Sequence, residues 1–242
     1  RFVKNKRAMI ALVIFLIIAL MAIFGPMISP YSYDGMDTAI MNQRPSAAHW
    51  FGTDRFGRDL FTRVLYGARI SLMVGIVTAV INTIIGVIYG GIAGYVGGRV
   101  DMWMMRLTDI LYSIPELLYI ILIMLIFGSN VRSIIIGVCV AGWISMARMV
   151  RSQIITLKEQ EFALAAFVLG ANSRRILFKH LIVNSLGTII VTVTLMIPQA
   201  IFMEAFLSFV GVGISAPMAE QKVGKRSAID TWLSIGAGWF LM

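Results

Sequence analysis

Residues 8–28 read AMIALVIFLIIALMAIFGPMI, a run of 21 positions without a charged side chain. At a rise of about 1.5 Å per residue, a helix of this length crosses the hydrocarbon core of a bilayer, which is about 30 Å thick. Basic residues precede the run, as they do in a secretory signal peptide. The run is longer than a usual signal, and no small-residue cleavage site follows it. The stretch therefore favours a retained membrane anchor over a cleaved signal.

The composition of the whole chain agrees with this assignment. Of 242 residues, 59% are hydrophobic and 14% are charged, and the mean hydropathy is +0.86. Soluble domains carry about 25% charged residues, so this chain has too few to cover a water-facing surface. A single cysteine, Cys139, excludes a disulfide scaffold. We assign the net charge of +9 to the membrane and to protein partners rather than to nucleic acid.

Further apolar segments predict an all-α polytopic membrane protein. Together with residues 8–28 they make five complete spans, the others being 70–98, 110–128, 133–147 and 185–214. The last apolar stretch, 231–242, reaches only about 18 Å as a helix, which is too short to cross. A sixth span is therefore expected beyond Met242.

The distribution of basic residues orients these spans. With the N-terminus inside, the cytoplasmic segments carry 12 Lys and Arg in 51 positions, and the opposite side carries nine in 74. Cytoplasmic loops are enriched in Lys and Arg. The roughly twofold difference in density predicts a cytoplasmic N-terminus.

Glycines at four-residue spacing mark one face of the second span. Gly86, Gly90 and Gly94 stack along a helix and let another helix backbone approach closely. Packing within the chain and a seam with another subunit both fit this pattern.

Two carboxylates lie inside predicted spans, where a charge is costly unless it faces the protein interior or water. Glu116 follows Pro115 in the first turns of the third span, which favours a structural role. Glu204 is deeper, six residues after Pro198, which is expected to interrupt the fifth span. Glu204 and the nearby Ser208 are therefore candidates for the lining of a solute path.

The cytoplasmic stretch 158–171, KEQEFALAAFVLGA, predicts a short helix outside the bilayer. Glu161 lies near its start, where the helix dipole favours an acid, and Gly170 is typical of a helix end. Between them, Ala165 and Ala166 belong to a small-residue face suited to a groove on another protein.

A second helix is expected directly after this one. Asn172 or Ser173 can cap it, and its first turn carries Arg174 and Arg175. The two helices form a short helix–turn–helix.

On the opposite side of the membrane, residues 49–59 read HWFGTDRFGRD. Oppositely charged residues four apart follow one another here: Asp54–Arg58, Arg55–Asp59 and Asp59–Arg63. This spacing favours mutual stabilisation of a helix, and receptor docking is the alternative.

Three of these stretches resemble one family. Ala165-Ala166-xxx-Gly170 followed by a basic helix resembles the Glu-Ala-Ala-xxx-Gly coupling loop of binding-protein-dependent ABC importer permeases. Residues 52–59 resemble the Gly-Thr-Asp-xx-Gly-Arg-Asp signature of the C-type permease in dipeptide, oligopeptide and nickel importers. Residues 204–213, EAFLSFVGVG, are similar to the end of the family's fifth span.

The sequence departs from the family pattern at three places. Leu164 stands where the coupling motif has glutamate, and Val183 stands where the family places proline. Residues 220–226, EQKVGKR, replace a Ser-Trp-Gly stretch.

The resemblance implies the type I ABC importer transmembrane fold and a set of partners. Residues 1–69 would form an anchor helix and an extracytoplasmic segment, and residues 70–242 the transmembrane core, with a coupling loop at 151–180. The implied partners are a second homologous permease subunit, two ATPase subunits that bind ATP and Mg, and an extracytoplasmic solute-binding protein. The implied location is the plasma membrane of a bacterium or archaeon.

The resemblance also implies which residues carry each role. The expected ATPase-coupling residues are Glu161, Ala165, Ala166, Gly170, Arg174 and Arg175. The extracytoplasmic signature comprises Gly52, Thr53, Asp54, Gly57, Arg58 and Asp59, and the possible solute path Glu204 and Ser208.

No catalytic, cofactor or metal site is predicted on this chain. It lacks a Gly-xxxx-Gly-Lys-(Ser/Thr) phosphate loop, and His49, His180 and Cys139 fall in separate segments. We predict a permease subunit of an ATP-driven peptide importer. The alternatives are a nickel or other small-solute importer, a secondary transporter that relays protons through Glu116 and Glu204, and a non-transporting scaffold.

Overall fold

The computed structural model describes residues 6–210. Several sequence predictions lie outside these residues: the first basic residues of the chain, the end of the fifth span after Val210, the 220–226 stretch and the apolar segment 231–242.

The described residues are mostly helical and contain no β-strand. Along the chain the helices are α1 (Lys6–Ile28), α2 (Leu60–Val96), α3 (Gly98–Tyr112), α4 (Glu116–Phe127), α5 (Val131–Ala141), α6 (Trp143–Lys158), α7 (Glu161–Val168), α8 (Ser173–Arg175) and α9 (Ile182–Phe209). A π-helical turn, Ile176–Leu181, joins α8 to α9, and a short 3-10 helix covers Thr38–Ile40.

Among the described residues, four helical runs are long and apolar enough to cross a membrane. They are Lys6–Ile28, Leu60–Val96, Val131–Lys158 and Ser173–Phe209. The bent pair α3 and α4 makes a fifth if it is counted as one span. The prediction of an all-helical polytopic membrane protein is confirmed.

The predicted third span is not one straight helix. α3 ends at Tyr112, α4 begins at Glu116, and the two helices meet at an angle of 72°. Pro115 is the N-cap of α4, and a proline disfavours helical geometry in the residue before it. The expectation that Pro115 and Glu116 lie inside the first turns of a continuous span is therefore wrong.

Pro198, unlike Pro115, does not break its helix. The expected interruption of the fifth span is absent, because α9 continues through Pro198 to Phe209. Transmembrane helices tolerate proline where neighbouring groups satisfy the freed carbonyl. Residues 173–209 form one helical run that begins 12 positions earlier than predicted.

The described chain divides into two compact units. One contains the described residues before Gly75, residues 129–131 and those after Ala200, and the other contains 75–128 and 132–200. In the second unit a core cluster joins α2, α6, α7, the π turn and α9. Its buried members are Ala79, Met146, Val150, Ile154, Ala163, Ile176, Leu177, Leu181, Ile189 and Met196.

The glycine face of α2 packs against α6 of the same chain. A Cβ at Gly90 would meet the backbone of Ala147, and one at Gly94 would lie 2.8 Å from the carbonyl oxygen of Arg151. Gly86 approaches Met146 in the same way. The intrachain alternative is the one observed, and it brings the two helix backbones close together.

Candidate functional site

The extracytoplasmic signature is organised around the carboxylate of Asp54, which is only 3% exposed. Its Oδ1 accepts the backbone N–H groups of Phe56 (2.8 Å) and Arg58 (2.9 Å). Its Oδ2 accepts the Arg58 Nε–H at 2.8 Å and the guanidinium of Arg63. Burial raises the pKa of Asp54, but the two N–H donors and the Arg58 guanidinium outweigh burial and hold the pKa below its ordinary value.

The second signature carboxylate, Asp59, caps α2. Its Oδ2 accepts both the backbone N–H and the hydroxyl of Thr62, each at 2.7 Å, as an N-cap aspartate does three residues into a helix. Its Oδ1 lies 2.9 Å from Nδ1 of His49. The Thr62 hydroxyl also lies 2.6 Å from that of Ser29, which follows α1. Asp59 therefore ties α1, the outer segment and α2 together.

Gly52, Gly57 and Thr53 complete the fold of the outer turn. Gly52 and Gly57 have φ of +76° and +71°, and a Cβ at Gly57 would overlap the carbonyl group of Asp37. Thr53 forms an isolated antiparallel bridge with Asp59, donates its hydroxyl to the carbonyl of Ile40 and accepts the N–H of Gln43 at 2.9 Å. The six predicted signature residues thus form one compact turn.

The predicted helix over the charge pairs is wrong. α2 begins only at Leu60, so the Asp54–Arg58 pair forms across a turn rather than along a helix. Arg55 lies with its guanidinium 5.0 Å from the centre of the Phe56 ring. The glycines with positive φ explain this outcome, because they reverse the chain where a helix would have to continue.

Sequence reasoning missed His49 and Thr62 in this network, and it paired Arg63 with Asp59, whereas Arg63 binds Asp54. Only Thr62 had a readable signal, since its distance of three residues from Asp59 is the spacing of an N-cap pair. The other two contacts depend on how the outer segment folds back.

In the predicted coupling loop, α7 ends in a Schellman motif. The Ala171 N–H donates to the Ala166 carbonyl and the Gly170 N–H to the Phe167 carbonyl, both at 3.0 Å. Gly170 has φ of +82°. The prediction that Gly170 ends this helix is confirmed.

Asn172 provides the next cap. Its Oδ1 accepts the N–H of Arg175 at 2.8 Å, which decides between the two predicted capping residues. The second helix is not a short separate one, because α8 continues through the π turn into α9.

The two faces of α7 differ. Ala163 is buried against the chain's own core, and Ala166 is half-buried there. Glu161, Ala165, Arg174 and Arg175 are exposed. Four large apolar side chains, which we call the coupling face, are also exposed: Leu164 (55%), Phe167 (70%), Val168 (82%) and Leu169 (87%). Part of the small-residue face therefore contacts the chain itself, and the exposed apolar surface comes from larger residues.

Glu204 is 1% exposed. Its Oε2 accepts the hydroxyl of Ser71 at 2.8 Å, and its Oε1 accepts that of Ser208 at 3.4 Å. The first contact joins α9 to α2 and was not predicted, because the two residues are 133 positions apart. Within the described residues, this carboxylate is thus satisfied by two serines.

Residues 6–210 contain no group of three or more His, Cys, Asp or Glu side chains that could hold a metal ion. Glu116, half-buried, lies in the first turn of α4.

The apolar helical runs define a polytopic membrane protein of the helical class. Residues 84–242 match the family described as binding-protein-dependent transport system inner membrane component. Residues 1–45 match the N-terminal transmembrane domain of oligopeptide transport permease C. The chain belongs to this family of ABC importer permeases and is a transport subunit rather than an enzyme.

Several curated proteins are similar to this chain over most of their length. The oligopeptide transport system permease protein OppC of Bacillus subtilis is 50% identical over 219 residues, 90% of this chain and 72% of the relative. The dipeptide transport system permease protein DppC of the same organism is 49% identical over 241 residues, 100% and 75%. The oligopeptide permease OppC of Escherichia coli is 43% identical over 249 residues, 100% and 82%.

Proposed function

We propose that this chain is the C-type permease subunit of a bacterial importer that moves peptides inward at the expense of ATP. The observation that carries the ATP-driven part is the coupling face, four exposed apolar side chains on α7 and its C-cap, where the helix ends in a Schellman motif. Charged residues flank α7 along the chain, so burial in a partner protein is a better match for this face than burial in lipid. The substrate class rests on the relatives, which are named as oligopeptide and dipeptide permeases.

The partners follow from the same assignment. Two ATPase subunits, which hold ATP and Mg, would receive α7, with Glu161, Ala165, Ala166, Gly170, Arg174 and Arg175 at or beside the contact. A second homologous permease subunit would complete the solute path. Five spans with a cytoplasmic N-terminus would place α7 on the inner side of the inner membrane. The functional boundary would fall near residue 69, between the outer segment and the transmembrane core.

We expect the extracytoplasmic signature to support docking of the solute-binding protein indirectly, by fixing the shape of the turn. Its polar and charged side chains point inward, because Thr53, Asp54, Arg58 and Asp59 are all buried. The docking surface would then consist of the exposed side chains that this turn presents, including Trp50 and Arg55. Glu204 and Ser208, both near the end of α9, would support or line the solute path.

The test is transport by the reconstituted complex. Proteoliposomes would hold this chain, its partner permease and both ATPases, with solute-binding protein and labelled peptide outside and ATP inside. We expect accumulation that requires ATP and both ATPases. Accumulation without ATP, or accumulation unchanged when the ATPases are omitted, would overturn the proposal. Uptake of nickel instead of peptide by the same vesicles would support the alternative substrate.

A further inference from the structure

An ion pair joins α3 to α6, the helix that directly precedes α7. The guanidinium of Arg151 binds the carboxylate of Asp101 through two hydrogen bonds, Nε–H to Oδ1 and Nη2–H to Oδ2. The Asp101 side chain is 14% exposed and that of Arg151 33%. Two-point contacts of this kind fix orientation as well as distance.

Other contacts hold α3 to the same neighbours. The Tyr89 hydroxyl of α2 donates to the Met104 carbonyl at 2.8 Å. Leu111 packs against a buried cluster of α6 formed by Trp143, Ile144 and Ala147. Near the far end of α3, Arg148 contacts Asp109 at 2.7 Å, but these side chains are 39% and 67% exposed. The buried part of the contact and the Asp101–Arg151 pair therefore restrain α3 against α6.

α6 is in turn fastened to α7. Only Glu159 and Gln160 separate the two helices, and Ile154 and Ala163 share one buried core. A displacement of α7 must therefore displace the end of α6 that carries Arg151. At its other end, α3 meets α4 at the 72° bend beside Pro115, where the helix is already broken.

We propose that Asp101 and Arg151 are positioning residues that carry the movement of α7 through α6 into α3, and so change the angle at the α3–α4 bend. The inference rests on the proposed function, since it assigns a transmission path to the same coupling helix. In this proposal the pair has no role in binding nucleotide or solute. It acts by making α3 follow α6.

A purely structural pair and a transmitting pair differ in one measurable quantity. If the pair only stabilises the fold, its loss lowers the amount of active complex, and transport and ATP hydrolysis fall together. If the pair transmits movement, its loss lowers the number of peptides moved per ATP hydrolysed. That ratio is independent of how much complex is active.

The experiment measures this ratio in proteoliposomes holding the complete complex. We expect Asp101→Asn and Arg151→Gln to lower it by about fivefold or more, the lower end of usual coupling effects. The exposed pair provides the matched controls, Asp109→Asn and Arg148→Gln, for which we expect a change below about twofold, as is usual for surface pairs. The charge exchange Asp101→Arg with Arg151→Asp should recover more of the ratio than either of its single changes.

An unchanged ratio in Asp101→Asn and Arg151→Gln would overturn the inference, as would a charge exchange no better than its single changes. If the neutral variants do not assemble, Arg151→Lys decides, because it keeps the charge and loses the two-point contact. A lowered ratio in Arg151→Lys supports transmission, and a wild-type ratio overturns it. Failure of the proposed function is distinct, since the wild-type complex would then show no ATP-driven peptide uptake.

Discussion

At Gly170 the requirement for glycine comes from the backbone alone. Its φ is +82°, yet a Cβ placed there would have no neighbour within 4 Å. Gly57 differs, because its φ is +71° and a Cβ would also overlap the backbone of Asp37. The first position can accept any residue that tolerates a left-handed conformation, and the second can accept only glycine.

This distinction predicts that the effect of a substitution at Gly170 depends on how well the new residue tolerates a left-handed conformation. Gly170→Val should impair ATP-driven uptake or assembly with the ATPases, because a β-branched residue opposes the left-handed turn, which costs even ordinary L-residues about 1–2 kcal/mol. Gly170→Asn is the matched control and should stay close to wild type, since asparagine visits this region readily. Uptake in proteoliposomes and co-purification of the ATPases measure both variants. If Gly170→Val behaved like the wild type, the proposed contact between α7 and the ATPases would be contradicted.

The lowered pKa of Asp54 predicts that the outer turn loses stability in acid. Its pKa in the folded protein is lowered, so its stabilising contribution is complete above the ordinary Asp pKa of about 3.9 and is lost as the pH falls through the lower folded value. Hydrogen–deuterium exchange of residues 52–59, corrected for intrinsic rates, should therefore show constant protection at neutral pH and a loss in strong acid.

Asp54→Asn should remove this acid dependence and lower protection at neutral pH, by about 1.5–3 kcal/mol for each charged hydrogen bond lost. Asp34→Asn, at an exposed side chain that contacts Ser32, serves as the control and should keep the wild-type profile. Equal profiles for Asp54→Asn and wild type would contradict the assigned role of the carboxylate.

At this scale, local contacts were predictable and distant ones were not. The helix end at Gly170 and the cap at Asn172 follow from neighbours within three or four positions. The contacts of Asp59 with His49 and of Glu204 with Ser71 join residues 10 and 133 positions apart. No spacing rule covers such contacts, because the path of the intervening chain determines them.

Between elements, α2 and α6 approach each other closely, and two adjacent glycines of α2 test this contact. Gly90→Ala should destabilise the protein by about 1–3 kcal/mol, the usual cost of overpacking, because its Cβ would run into the Ala147 backbone. Gly91→Ala should be neutral or slightly stabilising, since its Cβ would lie 3.6 Å from the side chains of Leu177 and Ile182. Thermal unfolding in detergent compares the two. Equal stabilities would contradict the packing of α2 on α6.

The spans were predictable as elements, but their breaks were not. Pro115 and Pro198 both lie in apolar runs. Pro115 was expected within the first turns of a continuous span, and Pro198 was expected to interrupt its helix, but the structure shows the reverse. Pro115 begins a new helix, whereas α9 carries Pro198 in its interior. Proline sets the geometry of its own position and of the residue before it. The surrounding packing decides whether the helix continues.

For the molecule as a whole, Glu204 separates ATP-driven import from proton-coupled transport. Glu204→Gln retains an acceptor oxygen, so ATP-driven peptide uptake should continue and should not depend on a pH gradient. Glu204→Ala leaves the Ser71 and Ser208 hydroxyls without this partner, and an unsatisfied buried group costs about 1–3 kcal/mol. We expect the alanine variant to lose complex stability and the glutamine variant to remain active.

Uptake with and without a protonophore, at equal ATP, measures this difference. Abolition of uptake by Glu204→Gln, together with collapse of wild-type uptake by the protonophore, would favour the secondary transporter.

Because of the π turn at Ile176–Leu181, the effect of losing one residue depends on where in this chain the residue is lost. Elsewhere in the described residues, a codon lost from a connecting loop shortens the reach between two helices. Within this turn the hydrogen bonds span five residues instead of four, so the turn holds about one residue more than an α-helix of the same rotation. The loss of one residue here would restore a regular helix and leave the side chains on both sides facing nearly as before. The same three-base deletion inside a regular helix would rotate every side chain before it by about 100° about the axis. The π turn is therefore a place where this chain can lose a residue and keep the direction of its cytoplasmic contact.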